Sequence, residues 1–132
     1  MAGPLGICSG VLIAPDTILT AAHCFSWAED GEKQGDCKGI DATFVMNFSR
    51  QKIPTPQGTQ LTIPTRFKST DVYKCSEILF RKLGGKLDVA IIRLNGSVQG
   101  IEPASWRPSG RAQRGDQVYA VGNPMGLSLI HI

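Results

Sequence analysis

The chain has 132 residues, 42% of them hydrophobic and 19% charged, with 15 glycines and 8 prolines. That balance suits one turn-rich globular domain and excludes a disordered tail, a collagen repeat and a coiled coil. The net charge of +3 comes from lysines and arginines spread between Lys33 and Arg114 with no run of five. No phosphate-tracking stripe results, so nucleic acid is not an expected partner.

Apolar runs are short and separated by turn residues. Cys8 to Ala14 reads as a strand, Pro15-Asp16 as a turn, and Thr17 to Ala21 as a second strand of β-branched and small residues, together a hairpin. Ser26 to Gly39 is polar and contains glycine, and is expected to be a loop. Ala42 to Phe48 alternates as a strand does. Pro54, Pro56, Gly58 and Pro64 break the next stretch and leave Gln60 to Ile63 as a candidate strand, because proline cannot donate to a ladder. Val72 to Leu83 fits helical spacing as well as a long bent strand, and its all-β surroundings favour the strand. Gly84-Gly85 marks a turn. Val89 to Leu94 reads as a strand buried on both faces, and Gln117 to Gly122 as the last strand. The longest apolar runs, such as Val89 to Ile92, fall far short of the roughly 20 residues a bilayer span needs, so no membrane span is expected. Roughly six to seven short strands with long loops imply an all-β barrel or sandwich.

Cys8, Cys24, Cys37 and Cys75 form an even set without any CxxC, which favours disulfides over a zinc site or a thioredoxin-type pair. An oxidising compartment follows, secreted or periplasmic. Met1 to Ile7 has neither the charge nor the length of a secretory signal, so a signal is expected to have been removed or to lie upstream.

The chemistry-bearing residues are few. His23 ends an apolar strand in Leu19-Thr20-Ala21-Ala22-His23-Cys24 and, alone, would read as structural. Asp88, following Gly84-Gly85-Lys86-Leu87, would alone read as a solvated turn aspartate. Their contexts change both readings. Cys8-Ser9-Gly10-Val11-Leu12-Ile13 followed by Leu19 to Cys24 closely resembles the segment around the general-base histidine of trypsin-like serine endopeptidases. Asp88-Val89-Ala90-Ile91-Ile92-Arg93-Leu94 resembles the strand carrying that family's triad aspartate. Val118-Tyr119-Ala120-Val121-Gly122-Asn123-Pro124-Met125-Gly126 looks like the segment at which, in bacterial members, the first barrel hands over to the second.

This resemblance, from about Cys8 to Gly126, implies an antiparallel Greek-key β-barrel over residues 1–126, the first half of a chymotrypsin-like double barrel. It implies His23 as the general base that takes a serine proton, with Asp88 fixing the imidazole tautomer and stabilising the imidazolium, in the order His, Asp, then Ser. Protein or peptide substrates would be cleaved through a serine ester, with no metal and no organic cofactor. Three cysteine pairings are open; the resemblance implies Cys8 with Cys24 across the histidine hairpin, leaving Cys37 with Cys75. No serine of the chain lies in a Gly-Asp-Ser-Gly-Gly-like segment. The nucleophile is therefore expected in a C-terminal barrel outside this sequence, the chain is expected to be a fragment, and as it stands it is expected to be inactive. Leu127-Ser128-Leu129-Ile130-His131-Ile132 reads as the translated end of a sequencing-library transposon adapter, so residues 127–132 are expected to be non-native. The alternative function is a pseudoprotease, a protein-binding module that kept the barrel without a nucleophile. A Gly-x-Ser-Gly segment in the continuing genomic sequence separates the two.

Overall fold

The computed structural model describes residues 8–24, 31–40, 42–47, 51–62 and 66–119. Within them, β-branched Thr17 and Ile18 begin the strand β2 (Thr17–Thr20), which turns back through Pro15-Asp16 onto β1 (Gly10–Ala14) as an antiparallel hairpin. Gly10 faces Thr20 across that hairpin, and a Cβ on it would lie 2.7 Å from Cγ2 of the fully buried Ile18. Gly10→Ala is therefore expected to cost about 1–3 kcal/mol through overpacking. A fall in the urea midpoint reads this; an unchanged midpoint contradicts it.

The remaining strands are β3 (Gly31–Asp36), β4 (Thr43–Val45), β5 (Gln51–Thr55), β6 (Gly58–Thr62), β7 (Val72–Gly84) and β8 (Leu87–Leu94). One sheet runs β1-β2-β8-β7-β3, with β4 also paired to β7; β5 and β6 form a separate two-stranded sheet, and every pairing is antiparallel. The described residues are thus all-β, as half of a chymotrypsin-like double barrel is, and the long segment from Val72 is a strand and not a helix. The β7–β8 turn uses Gly85 and Lys86 with φ of 61° and 74°, the left-handed pair that matches the twist of a tight hairpin. No helix among the described residues is long and apolar enough to cross a membrane.

Several local expectations are corrected. Gly31–Asp36 is a strand inside the expected loop, because the long β7 offers it a free edge even though the segment carries no apolar alternation. Gln51–Thr55 also pairs, despite Pro54, in a sheet of only two strands where each has an outer edge that needs no donor. β8 is buried on one face: Ala90, Ile92 and Leu94 are buried, Val89 and Ile91 half-buried, and Arg93 exposed with Glu77 as its ion-pair partner. The segment expected as the last strand is irregular from Gln117 to Tyr119, and Val118 and Tyr119 are exposed there; residues 120–126, and the tail 127–132 with His131, lie outside the described residues.

The buried side chains form two neighbouring groups. Leu12, Ile18, Tyr73, Leu94 and Val98 make one, Ile78, Ala90 and Ile92 the other, and the half-buried Phe44 packs against both. Cys8 is bonded to Cys24 and Cys37 to Cys75, the pairing the family resemblance implies, with Cα atoms 6.2 and 5.9 Å apart. Cys37 lies at the end of β3 and Cys75 between the stretches of β7 that bind β4 and β3, so the second bridge closes the gap between those two pairings. Restricting the unfolded chain, the bridges stabilise by about 3 and 4 kcal/mol respectively on loop entropy alone.

Candidate active site

Register brings His23 and Asp88 together. β2 and β8 are antiparallel with Thr17 opposite Arg93 and Thr20 opposite Ala90. Continued by two residues, the same register sets Asp88, near the start of β8, against Ala22. There the chain leaves β2 in a single 3-10 turn, Ala22–Cys24, closed by the Cys24 N–H donating to the Ala21 carbonyl at 3.3 Å. Ala22 is fully buried and pins the turn to the core, while Cys24 is tied to Cys8. His23, between them, is held facing Asp88.

Asp88 engages His23 twice. Its Oδ1 accepts the His23 backbone N–H at 3.0 Å, and its Oδ2 lies 2.6 Å from the ring Nδ1. The first contact fixes the backbone, the second the ring. An ionised carboxylate can only accept, so Nδ1 must carry the proton, and the lone pair is left on Nε2. The side chains are 40% and 43% exposed, so the pair sits at a solvent-facing lip of the sheet and not in the core.

The His23 ring bond, followed by the His23 backbone bond, holds the Asp88 carboxyl below its ordinary value of 3.8. The sign follows from linkage. A depressed carboxylate stabilises the fold above the unfolded value, and that stability is lost as pH falls through the lower folded value. Asp88 is therefore ionised at every pH above about 4, and the carboxyl carbon resonance is expected to titrate with a midpoint below 3.8. A midpoint at or above that value contradicts the geometry.

One residue escapes the sequence reading. Arg81 on β7 is only 2% exposed, and its Nε donates to the Ala22 carbonyl at 3.2 Å. The histidine turn is thereby gripped from both sides: Asp88 accepts from the His23 N–H, and Arg81 donates to the carbonyl just before it. Buried arginine is rare without partners because its charge must be satisfied. No signal in a single sequence marks it, since an arginine in a long strand reads as solvated. The two sulfurs of the Cys8–Cys24 bridge also lie close to the ring, with Cys24 Sγ 3.9 Å from Nε2; bonded to each other, they are not metal ligands.

The described residues of the Val118 segment supply no group to this site. Cys37 and Cys75 join the end of β3 to β7. Compared with known proteins, the chain matches the family of trypsin-like peptidase domains over residues 8–131, whereas no curated protein and no solved structure matches it significantly. That match covers nearly the whole chain and falls on an all-β antiparallel fold of the kind the family has. On those grounds the chain belongs to the trypsin-like peptidase domains.

Proposed function

We propose that the chain supplies the base and the orienting acid of a serine endopeptidase, with His23 as general base and Asp88 as the carboxylate that holds it. The observation that carries this reading is the 2.6 Å contact between Nδ1 and Oδ2, because it leaves Nε2 as the basic nitrogen on a ring that cannot rotate away. Nε2 takes the proton as a serine hydroxyl attacks the peptide carbonyl, and the imidazolium that forms is stabilised by the ionised Asp88. The same proton then passes to the leaving amine, and water repeats the sequence on the ester. Two disulfides suit action in an oxidising, secreted or periplasmic setting.

The nucleophile and the oxyanion donors are not supplied by any Gly-x-Ser-Gly segment of this chain. A base without a held nucleophile and an oxyanion hole contributes little, since the charge that develops in the transition state has nothing to stabilise it. The purified 132-residue chain is therefore expected to leave peptides uncut. The protein expressed with its genomic continuation is expected to cleave them, and His23→Ala to slow it by several orders of magnitude. Hydrolysis by the short chain itself, undiminished by His23→Ala, overturns the proposal. A continuation with no Gly-x-Ser-Gly segment leaves the pseudoprotease in its place.

A further inference from the structure

The Ala22 carbonyl and the His23 N–H belong to one peptide group, which is planar and stiff. Arg81 Nε donates to its oxygen at 3.2 Å, and Asp88 Oδ1 accepts from its N–H at 3.0 Å. The plane is thus held at both poles, and the His23 Cα is bonded directly to it. Sheet register explains how a residue two strands away reaches this group. Arg81 on β7 pairs with Ala90 on β8, and Ala90 pairs with Thr20 on β2, so the three share one face of the sheet. Ala90 is fully buried and carries only a methyl, which leaves room above β8 for the arginine stem.

Donation to a carbonyl oxygen also polarises the amide, so the N–H at its other end becomes a stronger donor. That N–H matters to the pair: after the His23 ring bond, the His23 backbone bond is the next largest influence holding the Asp88 carboxyl below 3.8. The His23 side chain is 40% exposed, so packing does not enclose it and the hold on its backbone helps to set its place.

We infer that Arg81 is a positioning residue for the His23–Asp88 pair, acting through the Ala22–His23 peptide. Its Nε–H sets the plane of that peptide and strengthens the N–H that Asp88 grips, and this keeps Nδ1 aimed at Oδ2. The consequence for hydrolysis rests on the reading of His23 as general base; the clamp on the peptide does not. A base displaced by about 1 Å can lose about a hundredfold in rate.

Two substitutions separate this role from a merely structural one. Arg81→Gln and Arg81→Met both remove the guanidinium and keep the stem, but Gln sets an amide N–H at the position of Nε where Met sets a methyl. The first readout is the ¹⁵N spectrum of the histidine rings in the 132-residue chain, assigned by comparison with His131→Gln. Wild type is expected to show His23 as a single tautomer, with the proton on Nδ1 far downfield and slow to exchange. Arg81→Gln is expected to keep that signal, and Arg81→Met to lose it to exchange and a mixture of tautomers.

The second readout is peptide hydrolysis by the protein expressed with its genomic continuation, at a temperature where every variant is folded. Arg81→Met is expected to lower kcat by about a hundredfold with KM unchanged, and Arg81→Gln by less than about tenfold. Ile92→Val, which thins the buried core on β8 away from the histidine turn, controls for lost stability and is expected to keep the wild-type kcat. The inference is overturned if Arg81→Met keeps the His23 ring signal, or if Gln and Met lose it equally, as lost packing or lost charge would make them do. A kcat for Arg81→Met within about threefold of wild type overturns it as well. Because the ring signal is read without hydrolysis, a wild-type protein that cuts no peptide removes only the peptidase reading, and the ring signal still decides the clamp.

Discussion

In a protein that carries the proposed serine nucleophile, Asp88→Asn is expected to lower kcat by about ten-thousand-fold, the size this substitution has in triad peptidases, with little change in KM. The shape of the side chain is kept, so the Asn Oδ1 can still accept the His23 backbone N–H as Asp88 Oδ1 does at 3.0 Å. The chemistry at the ring is reversed. An amide NH₂ set against Nδ1 donates where the carboxylate accepted, so the ring proton moves to Nε2 and no lone pair faces the serine. The imidazolium also loses the negative charge that stabilises it. Kinetics of the purified variant, with circular dichroism matching wild type, measure this. A kcat within tenfold of wild type contradicts the orienting role.

The second large effect concerns Arg81, at 2% exposure the most deeply buried charged side chain described. Arg81→Ala removes the donor to the Ala22 carbonyl, 3.2 Å away, and leaves a cavity behind the histidine turn. The orphaned carbonyl and the lost packing together are expected to cost about 3 kcal/mol. For a domain of this size that is a fall in Tm of about 10 °C. Arg81→Met keeps most of the stem's volume, so its cost is expected to be about 1–2 kcal/mol, chiefly for the unpaired carbonyl. Thermal melting of both variants tests the point. An Arg81→Ala chain that melts with wild type would mean that the turn does not depend on this contact.

The parts of the fold legible in the sequence are those where local pattern and tertiary pairing agree. Thr17, Ile18 and Leu19 are β-branched or apolar beside a Pro-Asp turn, and Gly85 allows the left-handed turn that joins β7 to β8, so both hairpins could be read. β3 could not, because Gly31–Asp36 is polar and glycine-containing and is extended only by pairing with β7. The inside and outside of β7 were equally unreadable. Its register against β8 shifts between Cys75 and Glu77 and again between Ile78 and Phe80, so Tyr73, Ile78 and Arg81 are all buried although they do not share a parity. Each shift exchanges the faces, and a two-residue period cannot reveal it.

The candidate site divides the same way. His23 and Asp88 were each marked by a local motif, 65 residues apart, and the β2–β8 register then sets them side by side. The double hold of Asp88 on ring and backbone, and the grip of Arg81 on Ala22, depend on the 3-10 turn and on the β7 shifts. Neither leaves a mark in the residue order.

The most direct measurement is labelling with a fluorophosphonate, which forms a stable ester only with a serine activated by a neighbouring base. It is applied to the protein expressed with its genomic continuation, and the modified residue is located by mass spectrometry. The expected result is one labelled serine, outside these 132 residues, whose labelling is lost in His23→Ala and strongly slowed in Asp88→Asn. Peptide hydrolysis with no labelled serine, or a labelled serine that reacts as fast in His23→Ala as in wild type, would contradict the assignment of His23 and Asp88 as its base and orienting acid.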